Sequence, residues 1–344
     1  MVAISPPSKV LVTGANGYLA TWVVKKYLEA GYSVRGTVRS LSKSAFLNDK
    51  FSDYGDRFEL VVVEDITKDG AFDEAVKGVD AIAHTASPFH FRVTKPDDLI
   101  IPAVQGTTSI LNSALKHGSN VKRVILTSSI VAVYEQTEVP RVFTESNWNN
   151  AAVEAVKTKG SAADPFTIYQ ASKTLAEKAA WEFVAAHSSE IPWDLVAINP
   201  PWIWGPSLSP APTLDDINTS QREIYDTLTG ARTNAQLQGE GSWVHVAVVA
   251  EAHVRATHAV DASGQRIIVT SSSFFYQDLL DLAAELGIAN VARGEPGSTK
   301  GIPFVINVET KKAEELLGLT PATPLKDVLA ESVDDFKRRG YPGF

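Results

Sequence analysis

The 344-residue chain has no cysteine, which excludes disulfides, thiol nucleophiles, iron–sulfur clusters and cysteine zinc sites together. Long apolar runs are also missing. Apolar stretches such as Leu60 to Val63 run for only a few residues, far short of a membrane span. Met1 to Lys9 carries Pro6 and Pro7 but no apolar core, so no secretory signal is expected and the location is expected to be cytoplasmic. Basic residues are outnumbered, with 32 Lys and Arg against 40 Asp and Glu and a net charge of −8, which argues against nucleic-acid partners. Seven histidines are present, but His245, His253 and His258 do not make a His-Glu-x-x-His pattern, and no metal is expected. With 44% hydrophobic and 21% charged residues, a packed globular protein remains, with a length that suits about two lobes.

What is present is an alternation. Lys9 to Thr13, Tyr32 to Arg39, Phe58 to Glu64, Val79 to His84 and Lys122 to Thr127 read as buried strands. Gly17 to Ala30, Ser44 to Asn48, Ala71 to Val76 and Asp97 to His117 read as the helices between them. Asp164-Pro165 should start a longer helix reaching about His187, followed by a strand over Trp193 to Ile198. This pattern predicts an α/β fold, a Rossmann-type doubly wound parallel sheet over residues 1–200. Five prolines between Pro200 and Pro212 then mark a break. Residues 201–344 should form a smaller, mostly helical substrate lobe, although Arg266 to Thr270 reads as a strand returning to the first sheet. Its last helix, Pro324 to Arg339, is expected to take Thr323 as its N-cap.

Thr13-Gly14-Ala15-Asn16-Gly17-Tyr18-Leu19-Ala20 joins the first strand to the first helix. Glycines there allow a tight turn and close backbone approach to a pyrophosphate, whose charge meets the helix N-terminus. Gly14, Asn16, Gly17, Tyr18 and Leu19 are the expected contacts. After the second strand an NAD enzyme would place an acid for the ribose hydroxyl, whereas this chain has Arg39 with Lys43 four residues on. Two cations there suit a 2′-phosphate and predict NADP(H).

Tyr169-Gln170-Ala171-Ser172-Lys173 puts a phenol and an ammonium on one helix face. A nearby positive charge is expected to lower the phenol's pKa, and such a tyrosine can give a proton to a carbonyl oxygen as hydride arrives. Ser128 and Ser129 follow the fifth strand, where open α/β sheets hold their ligands. Ser129 is the preferred hydroxyl for polarising the carbonyl.

These residues resemble the extended short-chain dehydrogenase/reductases. The resemblance is to the branch that includes dihydroflavonol and cinnamoyl-CoA reductases, yeast methylglyoxal reductase and fungal aldehyde/ketone reductases. Its markers are Thr13 to Ala20, His84 to Phe89, Leu126 to Val133, Tyr169 to Trp181 and Asn199 to Pro206. The resemblance implies Asp65 and Ile66 beside the adenine and Thr85, Ala86 and Ser87 along the cofactor. It also implies Pro200 and Ile203 at the nicotinamide, Ser220 as a further contact, and cofactor roles for Tyr169 and Lys173. By the same matching Phe89, Ile130, Tyr134, Phe166 and Trp202 would surround the substrate, with no arginine or lysine among them. One departure stands out: Val244-His245-Val246-Ala247-Val248-Val249-Ala250 replaces the branch's usual Val-Asp-Val-Arg-Asp-Val-Ala, so a lobe contact must be rebuilt.

The expected activity is an NADPH-dependent carbonyl reductase acting on uncharged aldehydes or ketones, small molecules, as monomer or homodimer. A nucleotide-sugar epimerase or dehydratase and a non-catalytic NADP sensor stay open. Arg39 and Ile130-Val131 speak against the former two, and the retained Tyr169 and Lys173 against the sensor.

Overall fold

A computed structural model describes residues 4–87 and 94–344, without the side chain of Lys43. Phe89 and the Lys43 side chain, both expected at the site, lie outside the described residues. The first half runs β1 (Lys9–Val12), α1 (Tyr18–Glu29), β2 (Ser33–Val38), α2 (Ala45–Lys50), β3 (Phe58–Val62), β4 (Ala81–His84), α3 (Asp97–His117) and β5 (Arg123–Thr127). It continues through β6 (Arg141–Phe143), α4 (Asn150–Lys159), α5 (Pro165–Ala186) and β7 (Asp194–Asn199). Then follow β8 (Trp202–Trp204), α6 (Thr219–Leu228), α7 (Asn234–Leu237), β9 (Glu240–His245), α8 (Val246–His258), β10 (Arg266–Ile268) and β11 (Ser272–Phe275). The chain ends with α9 (Tyr276–Glu285), β12 (Ile306–Val308), α10 (Lys311–Leu317) and α11 (Leu325–Arg338).

Seven strands form one parallel sheet in the order β10-β7-β5-β4-β1-β2-β3, a Rossmann-like arrangement. Strand periodicity divides its core. Val10 and Val12 point to the face covered by α1 and α8, with Val23, Val24 and Val254. Leu11 points the other way, where Ile110 and Leu111 of α3 and Ala180 of α5 cover the sheet. Both faces being covered explains the unbroken apolar strands. A bidentate pair between Arg123 and Asp194, opposite each other on β5 and β7, ties this sheet together at 2.7 and 2.6 Å. The same guanidinium donates to the carbonyls of Ala256 and Ala259 at the end of α8.

The second lobe packs α6, α9 and α11 around a three-stranded sheet, β11-β9-β8. Two local expectations fail. Ala71–Val76 forms turns rather than a helix, because Gly70 and Gly78 sit at φ 73° and 69° and leave too few residues to nucleate one. Pro324, not Thr323, precedes α11, and no side chain caps it. The altered 244–250 segment makes its own lobe contact. His245 caps α8 by accepting from Ala247 N at 3.1 Å, and its other ring nitrogen meets Glu331 of α11 at 3.0 Å.

Candidate active site

One cavity of about 990 Å³ crosses the carboxyl ends of the central strands and runs into the second lobe. Open α/β sheets bind their ligands there, because strand order reverses beside β1. The turn before α1 forms its floor with Gly14, Gly17, Tyr18 and Leu19. Gly14 adopts φ +66°, and a side chain on it would meet Ala86 Cβ at 3.2 Å, so the backbone stays bare toward the cavity. Thr37 Oγ1 accepts from Gly14 N, and Thr13 Oγ1 accepts from Thr85 N and Ala86 N, each at 3.0 Å. The turn is thereby held to the ends of β2 and β4. No side chain caps the start of α1 and its first turn has no acid, which suits an incoming phosphate. Asn16 and Ala86 flank this floor, with the Asn16 carbonyl accepting from Ser209 Oγ at 3.2 Å.

Arg39, Asp65 and Ile66 are absent from the cavity wall and lie just past β2 and β3. Arg39 is exposed. Hydrogen bonds from the Thr67 hydroxyl and amide hold Asp65 below the usual carboxylate range, and the charge of Arg39 adds to this. Thr85, Ser87, Pro200, Ile203 and Ser220 all line the cavity.

Ser129, Tyr169 and Lys173 all line the same cavity. Asp164 caps α5 by accepting from Thr167 N, with Pro165 at the first position, so Tyr169 and Lys173 lie one turn apart on one inward face. β5 and β7 extend their pairing into the loops, Ser128 N donating to Ile198 O and Ile130 N to Pro200 O. This sets Ser129 beside the helix, near enough for its hydroxyl to favour ionisation of the Tyr169 phenol. Ser128 instead donates to Glu177 Oε2 at 2.5 Å, away from the tyrosine. Burial pushes Tyr169 up to about 12, and the Ser129 hydroxyl opposes that. The lowering expected from Lys173 is not found. Lys173 Nζ donates to Ser87 Oγ at 3.0 Å, and burial brings the ammonium down to about 8 against the pull of Glu177.

Ile130, Tyr134, Phe166 and Trp202 also line the cavity, while Trp204 is fully buried against Trp243 and Phe274. The lining also holds charged residues that the sequence reading missed: Glu223 on α6, Arg232 on the following loop and Glu240 on β9. Arg232 is hydrogen-bonded to Glu223 and donates from Nε to Thr227 Oγ1 at 2.8 Å, with its guanidinium 3.7 Å from the centre of the Tyr276 ring. Both oxygens of Glu240 accept backbone amides, from Val305 and Ile306. Glu223 was reachable in principle, since it follows Ser220 by three residues on one helix. Arg232 carries no such local signal.

No group of three or more His, Asp or Glu among the described residues could hold a metal ion, and no described helix is long and apolar enough to cross a membrane. His253 is buried, bonded to Thr127 and to the Val249 carbonyl, and burial lowers it to about 4.

Sheet order, bare glycine floor and clustered Ser, Tyr and Lys define a nucleotide-binding oxidoreductase of the extended short-chain type. The chain belongs to the NAD dependent epimerase/dehydratase family, whose model matches residues 10–270. It is 34% identical over 339 residues to the NADPH-dependent methylglyoxal reductase of Saccharomyces cerevisiae, covering 95% of this chain and 96% of that one. It is 35% identical to a ketoreductase of Aspergillus niger, covering 91% and 93%. The crystal structure of the yeast methylglyoxal/isovaleraldehyde reductase complexed with NADPH matches with a TM-score of 0.87 at 33% identity, covering 96% of this chain and 99% of that one.

Proposed function

We propose that this protein is an NADPH-dependent carbonyl reductase that reduces uncharged aldehydes and ketones, with Tyr169 as proton donor. The observation that carries this is the meeting of Ser129, Tyr169 and Lys173 in the cavity whose floor is the bare Gly14–Gly17 turn. The dinucleotide, when bound, supplies the hydride. Its phosphates suit the turn and the start of α1, its 2′-phosphate Arg39 and Lys43, and its nicotinamide end Pro200, Ile203 and Ser220. Residues 1–200, with α8 and β10 packed on the same sheet, would hold most of the cofactor, and the rest of residues 201–344 would reach its nicotinamide end and close over the substrate.

Ser129 and Tyr169 line the same cavity, and a carbonyl oxygen seated between them would accept from both hydroxyls. With its phenol near 12, Tyr169 is protonated at neutral pH and serves as an acid. Its O–H bond breaks as the new alkoxide takes the proton. Lys173, one turn along the same helix face and held by Ser87, would meet the cofactor there.

The expectation of a wall without arginine is corrected by Arg232. Its charge is nevertheless matched by Glu223, and Asp164 and Glu240 add negative charge to the lining. A substrate carboxylate would find no unbalanced cation beside these residues, at a cost of several kcal/mol. The same reading has the enzyme working on small molecules in the cytoplasm, as monomer or homodimer. Benzaldehyde, a short aliphatic aldehyde and phenylglyoxylate, each assayed with NADPH, test it. Benzaldehyde should lead by up to ~10- to 100-fold, since burying its ring contributes about 2.5 kcal/mol. If phenylglyoxylate is reduced fastest, Arg232 leaves Glu223 to read a carboxylate and the substrate class is wrong.

A further inference from the structure

Behind the reacting set lies a buried ionic cluster that the reduction itself does not require. Glu177 follows Lys173 by four residues, on the same face of α5, and its side chain is wholly buried. Its Oε2 accepts from Ser128 Oγ at 2.5 Å and from Asn199 Nδ2 at 2.8 Å. Asn199 Nδ2 also donates to the carbonyl of Ser129 at 3.1 Å. The other oxygen accepts from Arg266 Nε at 2.6 Å and Trp181 Nε1 at 3.2 Å. Arg266 is itself immobilised, with Nη1 donating to the carbonyls of Glu145 and Asn147 and the guanidinium 3.7 Å from the Trp148 ring centre.

We propose that Glu177, anchored by Arg266 on β10, is a positioning residue for the reduction. It fixes the Ser128–Ser129 turn through Ser128 and Asn199 and supplies the counter-charge to Lys173. This rests on the reading of Ser129, Tyr169 and Lys173 as the reacting set. A purely structural bolt between β10 and α5 would need only the Arg266 contact. Here Arg266 Nη2 reaches Oε2 at 3.3 Å, but the two shorter bonds to that oxygen, from Ser128 and Asn199, end on the residues that carry Ser129, and Glu177 is the anion that acts on Lys173.

The groups around Lys173 decide what removal of that charge does. Tyr169 and Glu177 come from its own helix, and Arg266 lies behind Glu177 on β10. Ser87 and His84 come from the β4 end, and Thr107 of α3 faces the same small space without charge. His84 is held down to about 3 by burial first and by Lys173 second, so it stays neutral across the working range. Lys173 lies at about 8, with burial lowering it and Glu177 raising it. Without the carboxylate its pKa falls further, and the ammonium is lost at lower pH.

The test is the pH profile of kcat/KM for benzaldehyde reduction, with NADPH binding followed by fluorescence as a control. Glu177→Gln should shift the alkaline limb down by one pH unit or more, a tenfold loss above it, while NADPH still binds. Glu177→Asp keeps the charge but not the reach to Ser128. It should leave the limb in place and lower kcat. If Glu177→Gln does not fold, Glu177→Gln with Arg266→Met removes both buried charges and is read the same way. A wild-type limb in a folded, Gln-bearing variant overturns the proposal, as does an equal limb shift in Glu177→Asp. Persistence of the limb in Lys173→Met would instead overturn the assignment of Lys173, and is scored separately.

Discussion

Replacing Tyr169 by Phe removes one hydroxyl from a buried side chain and little else. The fold should tolerate it, because a single neutral hydrogen bond is worth about 1 kcal/mol and Ser129 Oγ keeps the Pro200 carbonyl and Val131 amide within 3.5 Å. The chemical cost is larger. A positioned general acid contributes typically ~10²–10⁴-fold, or about 2.7–5.4 kcal/mol at 1.36 per tenfold. The loss should therefore appear in kcat, with NADPH affinity changed less than about threefold. The pH dependence separates the roles of the two partners. With Tyr169 near 12, its protonated form persists throughout the neutral range, so the phenol does not shape the wild-type profile for reduction. Lys173 does. Its folded pKa is lowered to about 8, so its charge is present below that pH and lost above it, and reduction should fall as pH rises past about 8. The assay is loss of NADPH absorbance with benzaldehyde from pH 6 to 10, beside fluorescence titration of NADPH. Turnover by Tyr169→Phe within about fivefold of wild type would refute the assignment. So would a loss of turnover that merely tracks a loss of cofactor binding.

Arg39→Ala should raise the KM for NADPH by ~10- to 100-fold, the worth of a charge-assisted contact of ~1.5–3 kcal/mol, while NADH kinetics barely move. Equal losses with both cofactors would show that Arg39 acts elsewhere. Asp194→Asn leaves the Arg123 guanidinium buried without its counter-ion, so stability should drop by about 3–5 kcal/mol and the thermal midpoint by roughly 6–20 °C. A midpoint shift below about 2 °C would mean that the Ala256 and Ala259 carbonyls suffice.

The features legible in sequence are those whose geometry is local. Apolar runs alternating with helical patterns mark the parallel sheet, because burial on both faces demands continuous hydrophobicity. The Gly14–Gly17 turn declares itself through residues adjacent in the chain. Tyr169 and Lys173 share a face because four residues complete roughly one helical turn, whatever surrounds the helix. Burial is another matter. The phenol's rise to about 12 and the turning of Lys173 to Ser87 depend on what packs over α5, so the expected lowering by the ammonium did not follow.

The rest of the site is assembled across long separations. Arg232, Glu223 and Tyr276 converge from a loop and two helices, and Glu240 reaches Val305 and Ile306 across 65 and 66 residues. The three-residue strands β6 and β12 carry too little period to read, and they exist only because Arg141–Phe143 finds Ile306–Val308 to pair with. Glu177 in isolation is one more acid on a helix. It becomes a buried counter-charge only when β10 brings Arg266 against it, 89 residues further along the chain. A side chain's ionisation and partners are set by the dielectric and the donors around it, and only the folded chain supplies those.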